Sequence, residues 1–152
     1  MITILRTSSE NHDFITLIKL LDADLAISDG DEHSFYNQFN KIDLIKHVVI
    51  LYDNGVAVSC GSVKKESLKR MEVKRMYTLT ESRNRGFASM ILNELESWAR
   101  EMSYEKCILE TGKKQPDAIK LYEKNGYHLI PNYGQYHAVI NSLCFEKNLT
   151  PK

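Results

Sequence analysis

Met71 to Ile91, MEVKRMYTLTESRNRGFASMI, carries an apolar strand that bends through Arg83-Asn84-Arg85-Gly86-Phe87-Ala88 straight into a long amphipathic helix. No other stretch constrains the fold as much. Glycine at the bend has no β-carbon, so a ligand can come close to the backbone. The unpaired N–H groups of the first helical turn, backed by the positive end of the helix dipole, then form a cradle for a diphosphate. Arg83 and Arg85 add positive charge beside it. The Arg-x-x-Gly-x-Ala spacing lacks the third glycine of the dinucleotide fingerprint and the Gly-Lys-Ser/Thr ending of the P-loop. Taken alone, the motif leaves open an ordinary helix entry with a solvated arginine pair.

A chain of 152 residues predicts one domain, 1–152, since a chain of that length buries about 70% of its extended surface. Apolar residues at 43% and charged residues at 26% are in the globular range. Twenty basic and twenty acidic side chains cancel, which argues against general nucleic-acid or membrane affinity. The charge is unevenly spread. Between Asp22 and Glu32 lie five carboxylates, Asp22, Asp24, Asp29, Asp31 and Glu32, whereas Lys64 to Arg85 holds eight basic residues against three acidic ones. An anionic ligand is expected near the second segment and a cationic one near the first. Cys60, Cys107 and Cys144 are far apart in apolar runs and read as buried thiols. With no metal-ligand spacing, secretory signal or membrane-length apolar run, the expectation is a metal-free protein of a reducing cytoplasm.

Periodicity predicts the elements. A strand at Met1–Arg6 precedes a helical stripe from His12 to Leu25, and a second helix is expected between Asp31 and Ile45. His47–Tyr52 and Val56–Val63 are β-rich runs joined by Asp53-Asn54-Gly55, a strong hairpin signal. Met71–Leu79 completes a meander. Then come a helix at Gly86–Met102, a strand at Glu105–Thr111, a helix opened by Pro116 and closed by Asn125-Gly126, and strands at Tyr127–Ile130 and Ser142–Leu149. The order β-α-α-β-β-β-α-β-α-β-β defines an α+β fold with a mixed, mostly antiparallel central sheet flanked by helices.

That order and the Arg83–Ala88 loop resemble the GNAT acetyltransferases. So do Cys107-Ile108-Leu109-Glu110-Thr111, the run from Ala118 to Tyr127, and Asn141-Ser142-Leu143-Cys144-Phe145-Glu146-Lys147. The resemblance covers nearly the whole chain and is greatest to small bacterial members of unassigned substrate. It implies an N-acetyltransferase that moves an acetyl group from acetyl-CoA to a small-molecule primary amine in a ternary complex. A non-catalytic acyl-CoA sensor and a protein-directed acetyltransferase are the alternatives, and a homodimer is left open.

By the same resemblance, Met76, Tyr77 and Thr78 bind the acetyl-pantetheine arm, with the Met76 N–H polarising the thioester carbonyl. Arg83, Asn84, Arg85, Gly86, Phe87, Ala88 and Ser89 take the diphosphate. Tyr122 is the general acid for the CoA thiolate, or else a core aromatic with its hydroxyl satisfied elsewhere, and Glu72 is a base for the amine or the cross-strand partner of a lysine. Gln115 stands where the family commonly has asparagine, a departure that weakens its expected CoA contact. Asp29, Asp31, Glu32 and His33, with Tyr133 and Tyr136, suit an ammonium group. Arg75 could instead grip a substrate carboxylate, pointing to an amino acid. No cysteine has a histidine at partner spacing, which disfavours an acetyl-cysteine route.

Overall fold

The structure, a computed structural model, describes residues 1–29 and 44–149. The helix expected between Asp31 and Ile45 therefore lies almost wholly outside the described residues. The elements are β1 (Ile2–Thr7), α1 (His12–Asp29), β2 (His47–Asp53), β3 (Val56–Lys65), β4 (Arg70–Thr78), α2 (Phe87–Glu101), β5 (Lys106–Gly112), α3 (Pro116–Lys124), β6 (His128–Ile130) and β7 (Ser142–Asn148). The strands form one sheet in the order β1-β2-β3-β4-β5-β7-β6. Every neighbouring pair is antiparallel except β4 with β5.

Local chemistry accounts for the boundaries. Asn54 and Gly55 both have positive φ, 50° and 83°, which the two-residue hairpin turn between twisted strands requires. Asn11 caps α1, its Oδ1 accepting from the N–H groups of Asp13 (2.8 Å) and Phe14 (3.2 Å). Gly126, at φ 89°, turns the chain out of α3 in the left-handed conformation that glycine tolerates.

β2 is buried on both faces, and that explains its unbroken apolar run. Val48 and Ile50 pack with Phe14, Leu17 and Ile18 of α1, while Val49 and Leu51 pack with Ile91, Leu92 and Leu95 of α2. The two helices thus cover opposite faces of the sheet, each over its own apolar cluster.

Two irregularities break the sheet. First, β4 and β5 pair only from Arg70↔Lys106 to Glu72↔Ile108. Beyond that β4 stays with β3 and β5 stays with β7 as far as Gly112↔Ser142, so the two parallel strands part like the arms of a V. Second, β4 bulges. The register passes from Ser62↔Lys74 to Cys60↔Tyr77, which sets Arg75 and Met76 against Gly61 alone. Arg75 takes φ 61°, a costly conformation for a side chain of that size.

Gly61 makes the bulge possible. A β-carbon there would lie 2.4 Å from Met76 Sδ and 2.7 Å from Ile91 Cγ2. Overpacking of this kind costs about 1–3 kcal/mol. At roughly 2–4 °C per kcal/mol for a chain of this size, Gly61→Ala is expected to lower Tm by about 2–12 °C. Thermal unfolding followed by circular dichroism checks this, and an unchanged Tm would mean that Met76 does not depend on the gap at Gly61.

Candidate active site

The parted strands open a cavity of about 160 Å³. Its lining draws on β4 (Glu72 to Met76), β5 (Glu110 to Gly112), α3 (Ala118 and Tyr122), Gln115 before α3, Leu21 and Leu25 of α1, and Tyr136. Because α1 and α3 contribute from different sides, the cavity runs through the gap in the sheet. Beside it, β4 and β5 present edges with no strand pairing, and the bulge at Arg75–Met76 turns that stretch of backbone out of the regular ladder.

On the α2 side, the loop after β4 runs through a short 3₁₀ turn, Thr80–Ser82, to Asn84 at φ 64° and Gly86 at φ 82°. Gly86 is the N-cap of α2, and among the described residues no side chain caps this terminus. The Met90 N–H bonds the Gly86 carbonyl at 3.1 Å. The N–H groups of Phe87, Ala88 and Ser89 consequently have no acceptor within the helix. A β-carbon at Gly86 would meet nothing within 4 Å, so the approach to these amides is open. The terminus has the form of an anion site.

The arginines expected beside it are already paired. Arg83 donates from Nε to the Thr78 carbonyl (2.9 Å) and from Nη2 to Asp24 (3.3 Å), while Arg85 Nη1 reaches Asp53 at 3.1 Å. These are half-exposed pairs, and such pairs contribute only about 0–1 kcal/mol. A phosphate can replace the carboxylates at little cost.

On the other side, period-two alternation along β4 carries Glu72 and Lys74 to one face. Glu72 accepts from the Tyr133 hydroxyl at 2.7 Å, and Lys74 Nζ lies 3.8 Å from Glu72 Oε1. Glu110 of β5 accepts from Ser142 Oγ at 2.7 Å. Tyr133 and Tyr136 stack edge to face at 5.8 Å. Burial raises the pKa of both phenols, and the charges of Glu72 and Glu110 add to the effect on Tyr136. Burial likewise lowers the Lys74 pKa, against the opposing pull of Glu72. Arg75 is 6% exposed and donates from Nη1 to Asp22 at 2.8 Å. Its Nε and the Nε2 of Gln115 are buried and have no partner among the described residues, two unsatisfied donors at the cavity wall.

Tyr122 is fixed by ring contacts with Tyr127 (5.8 Å) and Phe145 (6.4 Å). Its side chain borders the cavity, and no hydrogen bond among the described residues holds its hydroxyl. Burial, then the Glu110 charge, raises its pKa well above the ordinary value of 10. The phenol keeps its proton through the whole physiological range.

The structure brings together Glu72, Arg75, Met76, Gln115, Tyr122 and Tyr136, with Tyr133 holding Glu72 from behind. Other expected residues stand differently. The Tyr77 ring packs in the α1 cluster under Arg83, 5.6 Å from the guanidinium. The Thr78 hydroxyl pairs with Ser59 at 2.7 Å. Phe87 is core, leaving only its amide for a ligand, and Ser89 Oγ accepts from Asn125 at 3.0 Å. Asp29 ends α1 with its side chain undescribed, and Asp31, Glu32 and His33 lie outside the described residues. Sequence reasoning missed Lys74 and Glu110, although the strand alternation around Glu72 and Leu109 carried a signal for both.

The acetyltransferase (GNAT) family profile matches residues 14–127, and the chain belongs to that family. An Azospirillum brasilense protein named an IAA acetyltransferase is 28% identical over 152 residues, 97% of this chain and 98% of its own. The structure of a Klebsiella pneumoniae protein provisionally named an acyl-CoA N-acyltransferase superposes with a TM-score of 0.82, at 29% identity over 99% of both chains. That of Thermoplasma acidophilum PaiA N-acetyltransferase in complex with coenzyme A gives 0.72 at 17% identity over 97% and 99%; it shares the fold. The molecule is an acyl-CoA-dependent N-acetyltransferase with a GNAT fold.

The thiols sit outside this arrangement. Cys60, Cys107 and Cys144 are free and buried, and burial pushes the first two up to about 12 and the third to about 11. A titration with a thiol reagent at mildly alkaline pH is expected to find all three inert in the native protein and reactive once it is unfolded. Rapid native labelling of any one would reopen a covalent route through sulfur.

Proposed function

We propose that this enzyme transfers an acetyl group from acetyl-CoA to the primary amine of a small molecule, by direct attack within a ternary complex. One observation carries the reading. A single cavity between unpaired strand edges joins an uncoordinated, proton-bearing phenol, Tyr122, to two carboxylates, Glu72 and Glu110.

Acetyl-CoA suits this cavity in each of its parts. Its diphosphate fits the uncapped amides at Phe87–Ser89. Its pantetheine amides resemble a strand and fit the free edge of β4. The bulged backbone at Met76 then offers its N–H to the thioester oxygen, the donor an oxyanion requires. On the far side, Glu72 and Glu110 attract the ammonium of the acceptor, and Glu72 takes its proton. The free amine attacks the carbonyl carbon, the C–S bond breaks, Tyr122 protonates the departing sulfur, and the proton lost from the attacking nitrogen restores the phenol. Tyr133 and Tyr136 bound the acceptor chamber with apolar faces and polar tips. Reduced, buried thiols suit the cytoplasm as its compartment.

Gly86→Asp puts a carboxylate where the diphosphate approaches. Aspartate is among the side chains that tolerate positive φ, so the fold is expected to survive with a loss of about 1–3 kcal/mol. Calorimetry is expected to show the acetyl-CoA Kd rising by about tenfold or more, equivalent to roughly 1.4 kcal/mol. Parent-like binding would remove the diphosphate from this terminus.

Tyr122→Phe keeps the ring contacts and removes one hydroxyl. General acid catalysis is worth about 10²- to 10⁴-fold, so kcat is expected to fall toward that range while the acetyl-CoA Kd barely moves. Thiolate is a good leaving group and water can substitute, so the low end is the expectation. A sharply lower Tm with unchanged kcat would return Tyr122 to a packing role. An enzyme that binds acetyl-CoA but releases no CoA with any member of an amine panel would be a sensor.

A further inference from the structure

The acceptor chamber already contains an amine. Lys74 is the lysine among the residues lining the cavity, and its side chain is 12% exposed. It stands on β4 two residues before Met76, on the same face as Glu72, with Nζ 3.8 Å from Glu72 Oε1. Burial favours its neutral form, as do the charges of Lys64 and Arg75, while Glu72 and Glu110 oppose. A surface lysine such as Lys69, with 73% of its side chain exposed, has neither the chamber nor the base.

We propose that Lys74 is a modification site of this enzyme: its ε-amine stands where the acceptor amine binds and takes the acetyl group of the enzyme's own acetyl-CoA. The proposal rests on the preceding reading of where the thioester lies. The atoms balance without any further reactant. The Lys74 ammonium passes a proton to Glu72, and the Nζ lone pair forms a bond to the thioester carbon. The C–S bond breaks, the sulfur leaves as CoA thiol with the Tyr122 proton, and the second N–H proton of the adduct restores the phenol while Glu72 gives the first to solvent. Acetyl-lysine, CoA and one proton released to solvent are the products.

The consequence is self-inhibition. Acetylation removes the cation beside Glu72 and fills part of a chamber of about 160 Å³. The amide is stable, so each event takes an enzyme out of use whenever acetyl-CoA is bound and no acceptor competes. Abundant acceptor protects the enzyme by occupying the same space.

Intact-protein mass spectrometry after incubation with acetyl-CoA alone tests this, with peptide mapping to locate the acetyl group. The wild-type enzyme is expected to gain the mass of one acetyl group at Lys74, and its later turnover of an amine to fall in step. Lys74→Arg is expected to gain none and to lose no activity on the same pre-incubation. Glu72→Gln should acetylate more slowly, and Gly86→Asp should lose the modification with its acetyl-CoA binding, which separates enzymatic transfer from solution acetylation of lysines. An enzyme that releases CoA with an amine yet leaves Lys74 unmodified would overturn this inference and leave the proposed function standing. Modification at other lysines that persists in Lys74→Arg would overturn it as well. Failure to bind acetyl-CoA at all would overturn the proposed function first, and this inference with it.

Discussion

The parting of β4 from β5 after Glu72 and Ile108 is the constraint on which the rest of the molecule depends. Backbone N–H and C=O groups inside a protein demand partners, and a continuous sheet would satisfy them. Here the sheet gives up that pairing at its centre and keeps a gap that reaches from one face to the other. The bulge adds to the cost. Arg75 holds a left-handed conformation worth about 1–3 kcal/mol, and Met76 lies over Gly61 because no β-carbon stands in the way. Local sequence would not choose these features. They persist because the α1 cluster on one face and the α2 cluster on the other hold β2, β3 and β4 in place.

A sheet split in this way needs ties across the gap, and polar contacts add to the apolar cluster that joins α2 to Leu109 and Phe145 of the other half. α2 packs on the β2–β4 half, yet its buried Glu96 accepts from Lys147 of β7 at 2.8 Å and from the Tyr127 hydroxyl at 3.0 Å, both in the other half. Near the first turn of α2, Asn125 donates to Ser89 while bonding the Leu121 carbonyl. On the opposite face the Tyr133 hydroxyl crosses to Glu72. Glu96 is buried while Lys147 is only partly so, and leaving the buried carboxylate short of a hydrogen-bond partner costs about 1–3 kcal/mol, so these bonds help to fix the separation of the halves. They also fix the distance between the helix terminus on α2 and the phenol on α3.

How much of this was legible from the sequence depends on the range of the interaction. The Asn54-Gly55 hairpin, the apolar stripe of α2, the Pro116 start and the Gly126 stop of α3 are local, and they fold as their residues require. Tyr122 and Glu72 were found by resemblance and do meet at one cavity. Lys74 and Glu110 escaped notice because each reads as an ordinary polar residue of a strand. Only the splay, which no local pattern encodes, turns their faces into a chamber. Arg83 and Arg85 illustrate the same limit: the motif identifies the cations, whereas their partners Asp24 and Asp53 come from distant elements. Lys64 is the register partner of Glu72 on β3, whereas the hydroxyl that bonds the carboxylate comes from Tyr133, sixty-one residues further along the chain.

One physical cause acts on the phenols and the lysine of the chamber alike. Burial penalises charge, and it acts on each group according to that group's own chemistry. Tyr122 is kept as a neutral acid, and Lys74 is drawn toward a neutral amine. The three cysteines are held as thiols, remote from the thiolate that a covalent relay would need. A site buried enough to favour a neutral amine and a neutral acid together is suited to the direct attack proposed here, in which the ammonium first gives its proton to Glu72 and the oxyanion then forms beside the Met76 amide. Glu72 and Glu110 keep polar contacts, with Tyr133, Lys74 and Ser142, and those contacts let carboxylates remain in such a place. In the proposed reaction these carboxylates are the groups to which an incoming ammonium gives up its proton, so the burial that keeps Tyr122 protonated and the contacts that keep the carboxylates in place serve the same transfer.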